Sequence, residues 1–193
     1  MTITGYLSRA LRIPDLRNRI IFTAAILALY RLLAHIPVPN VDPTALRLMF
    51  DSSGILSALN VFAGGGLKNF SVVALGVGPY INASIIIQLL TMVIPQLEEL
   101  MKEGSFGRQK INQYTQALAL PLTLIQAYGF YFLLKQQSLT GVDVLPSLTT
   151  FQLVVVILAM SAGSFFLIWL GETITEYGIG NGMSMIIFAG ILA

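Results

Sequence analysis

Three stretches of the chain, 69–97, 111–134 and 144–171, contain no charged residue. Nothing else in the sequence limits the fold as strongly. A bilayer core is crossed by a helix of about 20 mostly apolar residues, and each stretch can supply one. Composition agrees, with 55% hydrophobic and 10% charged residues against about 25% charged in a soluble domain. The expected class is all-α, a polytopic membrane protein. The expected spans are 20–37, 72–94, 114–134 and 151–170. A fifth segment, 182–193, is too short to span, which predicts a chain that continues. Residues 1–19 form a separate basic segment.

That segment, "GYLSRALRIPDLRNRI", fits either a short helix lying on the membrane surface or a solvated leader, with Pro14 and Asp15 interrupting it. It is not expected to be a cleavable signal, since no small-residue cleavage site follows the first apolar run. Arg9, Arg12, Arg17 and Arg19 precede the first span, and Lys102, Arg108 and Lys110 lie between the second and third. The other two connections carry Arg47 and Lys68, and Lys135. By the positive-inside rule the N-terminus is cytoplasmic. Residues 171–180 fall on the same side, yet hold Glu172 and Glu176 and no cation. Arg31 lies within the first span, where insertion costs about 2.5–3.5 kcal/mol at a helix centre. It is expected to face a polar interior or reach towards the outer surface.

Enzyme chemistry finds little to stand on. The chain has no cysteine and one histidine, which removes disulfides, thiolate metal sites and cysteine nucleophiles. Glu99 with Glu103, and Glu172 with Glu176, read as solvated i,i+4 pairs. His35 beside prolines reads as an interfacial residue. Ser164 has no histidine at matching depth to activate it. "GIGNG", 178–182, lacks the strand and lysine of a phosphate loop and reads as a tight turn opening a helix. No cofactor is expected.

The second span is the exception to a plain membrane helix. It holds Gly76, Gly78, Pro79, Asn82, Ser84 and Gln88. Proline removes a backbone donor, leaving the Leu75 carbonyl without its partner. Val77, Ile81, Ser84, Gln88 and Thr91 share one helix face, apolar at one end and polar at the other. Before this span, Ile55 to Ala63 would rise about 14 Å as a helix and stop at Gly64, Gly65 and Gly66. That piece fits an amphipathic helix outside the membrane or a half-helix that enters and turns back. Polar residues in a span often hydrogen-bond neighbouring helices. Together with the half-helix and the glycines, they point to a face lining a path. Ala159 and Gly163 form a small-xxx-small pair suited to close packing.

The motifs "LGVGPYINASIIIQLL", "KEGSFGRQKINQYTQ", "WLGETITEYGIGNGMSMIIFAG", "IPVPNVD" and "NVFAGGGLKNFS" resemble, in order, those of the SecY family of protein-translocation channels. The resemblance covers the N-terminal half of that family's ten-helix protein. It implies one five-helix half of a clamshell and passive conduction of polypeptides, with lateral release of membrane segments into lipid. Four members of an aliphatic pore ring would be Val77, Ile81, Met183 and Ile187. A lateral gate would include Asn82, Ile85, Ile86 and Gln126. A plug half-helix over 55–67 would comprise Ile55, Leu56, Leu59, Val61, Phe62, Gly64, Gly65, Gly66 and Leu67. Arg31 matches an arginine usual in the family's first span. Implied partners are SecE-like and SecG-like small membrane subunits, a SecA-like motor or a ribosome, signal sequences and lipid. Val77 and Met183 stand where the family commonly has isoleucine, Gly78 where it has methionine, Asn82 where it has a small hydroxyl residue and Ala63 where it has serine. The alternative is half of a secondary transporter, against which stands the absence of Asp or Glu within the predicted spans.

Overall fold

The computed structural model describes residues 13–38, 54, 67, 70–138 and 149–192. Six helices run through them: α1 Pro14–Leu33, α2 Gly78–Val93, α3 Pro95–Lys102, α4 Ser105–Ser138, α5 Thr150–Tyr177 and α6 Gly182–Ile191. Among the described residues the extended backbone pairs only at an isolated antiparallel bridge between Pro37 and Ser71. By length and composition α4 and α5 can each cross a membrane, and α2 with α3 makes a third candidate bent by 103°. The protein is a multi-pass, all-helical membrane protein. The predicted span 20–37 does not meet that measure as a helix, since α1 carries Arg17, Arg19 and Arg31, and α6, with ten residues, is a short apolar helix as its segment's length implied.

Each helix starts for a local reason. Pro14 opens α1 rather than interrupting it, with Asp15 in the first turn. Proline's missing N–H costs nothing there, and an acid favours the positive end of the helix dipole. Arg31 falls in the last turn of α1 and is half-buried, where a cation meets the negative end of the dipole. The Arg31 carbonyl pairs at 2.8 Å with His35 Nδ1, which therefore carries the proton.

The second span differs from its prediction. Residues 72–77 form successive turns, and regular helix begins at Gly78 with Pro79 at its start. Pro79 initiates a helix here and does not break one. Gly76 takes φ 58°, and Phe70 is left-handed at φ 44°, a conformation non-glycine residues rarely adopt. Phe70 is held there by burial, by stacking on Phe130 at 5.8 Å and by accepting the Val38 N–H at 2.8 Å. At the far end Ile94 is extended and Pro95 opens α3. The Lys102 ammonium bonds Glu98 at 2.7 Å on the exposed face of α3. That hydrogen bond, and then the ammonium charge, hold the Glu98 carboxyl below its ordinary range.

α4 runs through Pro121 without ending. α5 opens with a capping box, in which Thr149 Oγ1 accepts from the Gln152 N–H and Gln152 Oε1 from the Thr149 N–H. It continues to Tyr177, beyond the predicted end at 170, so Trp169 lies inside the helix and stacks on Phe166 at 5.5 Å. The helices pack in series, α2 on α4, α4 on α5 and α5 on α6, with α1 against α5 and α6. Gly163 is buried, but its close neighbour is not another helix. A Cβ there would lie 2.0 Å from the Val72 carbonyl oxygen, so this glycine seats the turns before α2 against α5.

Candidate functional site

Two hydrophobic clusters fill the interior. One gathers Val38, Leu67, Phe70, Leu134 and Met160. The other holds Val77 and Met183 among Ile26, Leu167, Leu170 and Ile186, with Ile187 packed against it. Three of the four pore-ring candidates, from two distant parts of the chain, thus meet in one cluster. Val77 is the N-cap of α2, and its carbonyl accepts from the Ile81 N–H at 3.1 Å. Ile81 lies one turn on and is 38% exposed. It is not part of the cluster and belongs to an open face of α2 with Ile85, Leu89 and Met92.

Met183 is placed by a pinched hairpin between α5 and α6. A Cβ on Gly182 would sit 1.8 Å from the Gly171 carbonyl oxygen, and one on Gly171 would sit 2.6 Å from Met183 Sδ. Several hydrogen bonds tie the turn between them. Gly180 takes φ 72°, and the Ser184 N–H donates to the Asn181 side chain that caps α6. The Gly182 N–H donates to Thr175 Oγ1, which donates to the Gly171 carbonyl. From α1, Thr23 Oγ1 accepts the Ile179 N–H at 3.2 Å and donates to the Arg19 carbonyl at 2.9 Å.

Beside Met183 lies a cavity of about 630 Å³, also lined by Tyr80, Asn112, Gln116, Glu172 and Asn181. Its walls are mostly amides, hydroxyls and carboxylates. The Tyr80 hydroxyl donates to Asn112 Oδ1 at 2.8 Å, Asn112 Nδ2 donates to Glu172 Oε1 at 2.5 Å, and Gln116 Nε2 donates to the same oxygen. Glu172 is therefore half-buried and engaged, which corrects its reading as part of a solvated pair. The carboxylate's place directly after a charge-free run, with Asn112 and Gln116 at i,i+4, was the available signal.

The gate candidates lie elsewhere. Asn82, Ile85 and Ile86 are exposed on α2, and Gln126 is half-buried on α4. Among the described residues no hydrogen bond joins Gln126 to any of them. Ser84 and Thr91 donate to the Ile81 and Gln88 carbonyls of their own helix, so neither hydroxyl ties α2 to a neighbour. Of the plug candidates, Ile55, Leu56, Leu59, Val61, Phe62, Gly64, Gly65 and Gly66 lie outside the described residues. Leu67 is buried, and its carbonyl accepts from the Phe70 N–H. Among the described residues no group of His, Cys, Asp and Glu could hold a metal ion.

The family model for SecY matches residues 71–193, which include every described residue of the cavity and the ring candidates. The chain belongs to the SecY family. Protein translocase subunit SecY of Corynebacterium glutamicum is 46% identical over 191 residues, covering 95% of this chain and 43% of that protein. The Aquifex aeolicus subunit is 43% identical, covering 99% and 46%. The Mycobacterium tuberculosis subunit is 45% identical, covering 95% and 44%. The chain thus spans less than half the length of these SecY relatives. Two solved structures share the fold at TM-score 0.60 and 23% identity, each covering 89% of this chain and 35% of the other. They are Sec61 in the canine ribosome–channel complex from the endoplasmic reticulum and a structure described as a protein conducting channel. SecY is a family of channels rather than enzymes, and the transporter alternative finds no support among these relatives.

Proposed function

We propose that this chain forms the N-terminal half of a protein-conducting channel, which passes secretory polypeptides across the membrane and releases apolar segments sideways into lipid. The observation that carries the reading is Met183. It lies where the polar cavity meets the apolar cluster containing Val77. A polar vestibule ending in an aliphatic constriction suits a cargo of varied chemistry. An apolar constriction makes few specific contacts with what passes and resists ions by dewetting.

On this reading Val77, Ile81, Met183 and Ile187 contribute to the ring, and the plug occupies 55–67. The exposed apolar face of α2 meets the other half of the channel. Asn82, Ile85, Ile86 and Gln126 then belong to the seam that opens to lipid. The channel sits in the plasma membrane with the N-terminus in the cytoplasm. SecE-like and SecG-like subunits flank it, and a SecA-like motor or a ribosome drives the cargo. The test is reconstitution of the full channel in proteoliposomes. Precursor polypeptides become protease-protected inside when the motor is supplied. A complex that leaves every precursor outside overturns the reading.

A further inference from the structure

We propose, resting on the channel reading above, that Tyr80, Asn112 and Glu172 form a latch that holds the constriction closed. Tyr80 stands in the first turn of α2, between Pro79 and Ile81 and three residues after Val77. Its hydroxyl reaches Asn112 on α4, and Asn112 reaches Glu172 on α5. Glu172 in turn follows Gly171, the residue on which Met183 packs. The chain of bonds therefore ties the start of α2, next to Val77 and Ile81, to the part of α5 on which Met183 of α6 packs.

Three observations set this bond apart from ordinary interhelical glue. Among the described residues it is the only side-chain hydrogen bond from α2 to another helix, since Ser84 and Thr91 bond to their own backbone. The segment entering α2 is a run of turns with Gly76 left-handed, so no regular helix braces Tyr80 from that side. The opposite face of α2 is open at Ile81, Ile85 and Leu89. Apolar packing of Val77 and Ala83 holds this end of α2 without direction, and among the described residues its directional side-chain restraint is the one hydroxyl of Tyr80. Glu172 Oε1 accepts from both Asn112 and Gln116, which fixes the Asn112 amide with its oxygen towards Tyr80. These are positioning residues, acting on the ring through the backbone beside them.

The test uses the full channel with its small subunits. It reads ion leak in proteoliposomes, export of a precursor with a defective signal sequence, and the amount of channel accumulated. Tyr80→Phe and Glu172→Ala each raise leak and defective-precursor export about fivefold to tenfold, the scale of one hydrogen bond in a two-state equilibrium, at unchanged accumulation. The double variant exceeds neither single by much, because both break one series of bonds. Glu172→Gln stays near wild type, since its Oε1 still accepts from both amides. Unchanged leak in both single variants, additive effects in the double, or effects that appear only with loss of accumulated channel would each overturn the latch. A wild-type channel that moves no precursor overturns the channel reading, and the latch with it. A working wild type with silent variants overturns the latch alone.

Discussion

Gly182 crosses Gly171 so closely that a Cβ on Gly182 would fall 1.8 Å from the Gly171 carbonyl oxygen and 2.8 Å from Ile174 Cβ. No side chain other than hydrogen fits without parting α5 from α6. Gly182→Ala is expected to destabilise the protein by about 1–3 kcal/mol, the usual cost of overpacking, and to displace Met183 beside it. The control is Gly78→Ala, where a Cβ meets nothing within 4 Å. Thermal unfolding in detergent checks both. Equal midpoints for the two variants would contradict the pinch.

Thr23 secures the same turn from the α1 side. Thr23→Val keeps the shape and removes the hydroxyl that accepts the Ile179 N–H. An amide left without its partner costs about 1–3 kcal/mol. The variant is expected to unfold at lower temperature and to speed hydrogen exchange at Ile179. Thr23→Ser keeps the hydroxyl and is expected to keep most of the stability.

Ile81 is the ring candidate on the open face of α2. Making it polar, as in Ile81→Ser, weakens the apolar barrier to water and ions. Leak conductance is expected to rise, and precursors with poor signals to pass more readily. Normal values of both would remove Ile81 from the ring.

Asn82 is also exposed on α2, about 100° around the helix from Ile81. If Asn82 lies in the proposed seam, replacing it with leucine makes that seam more apolar and strengthens contact between the proposed channel halves in the closed state. Asn82→Leu is expected to lower crosslinking of signal peptides to α2 and to slow secretion. Unaltered crosslinking would take Asn82 out of the gate.

Much of this was legible in the sequence because bilayer spans are written in charge-free length. The runs 111–134 and 144–171 became α4 and α5, and "GIGNG" became the turn that opens α6. Other features depend on who the neighbour is, which one sequence does not state. Proline in an apolar run reads as a break, but Gly76 in a left-handed turn made Pro79 a helix start. Gly163 announced close packing without saying that the partner is the Val72 backbone. Glu172 looked solvated beside Glu176. Its partners Asn112 and Gln116 sit some 60 residues away in sequence, on a face that appears only once α4 and α5 lie side by side.

The bend of 103° between α2 and α3 makes the two helices a crank. With eight residues in α3, its arm is about 12 Å long, so turning α2 about its own axis by roughly 10° swings the far end of α3 by about 2 Å. On the channel reading, small rotations at the constriction are thereby enlarged and delivered to a helix with no buried residue. A reporter on Met101 would register the state of the ring without touching it, and a partner gripping α3 could turn the shaft from outside.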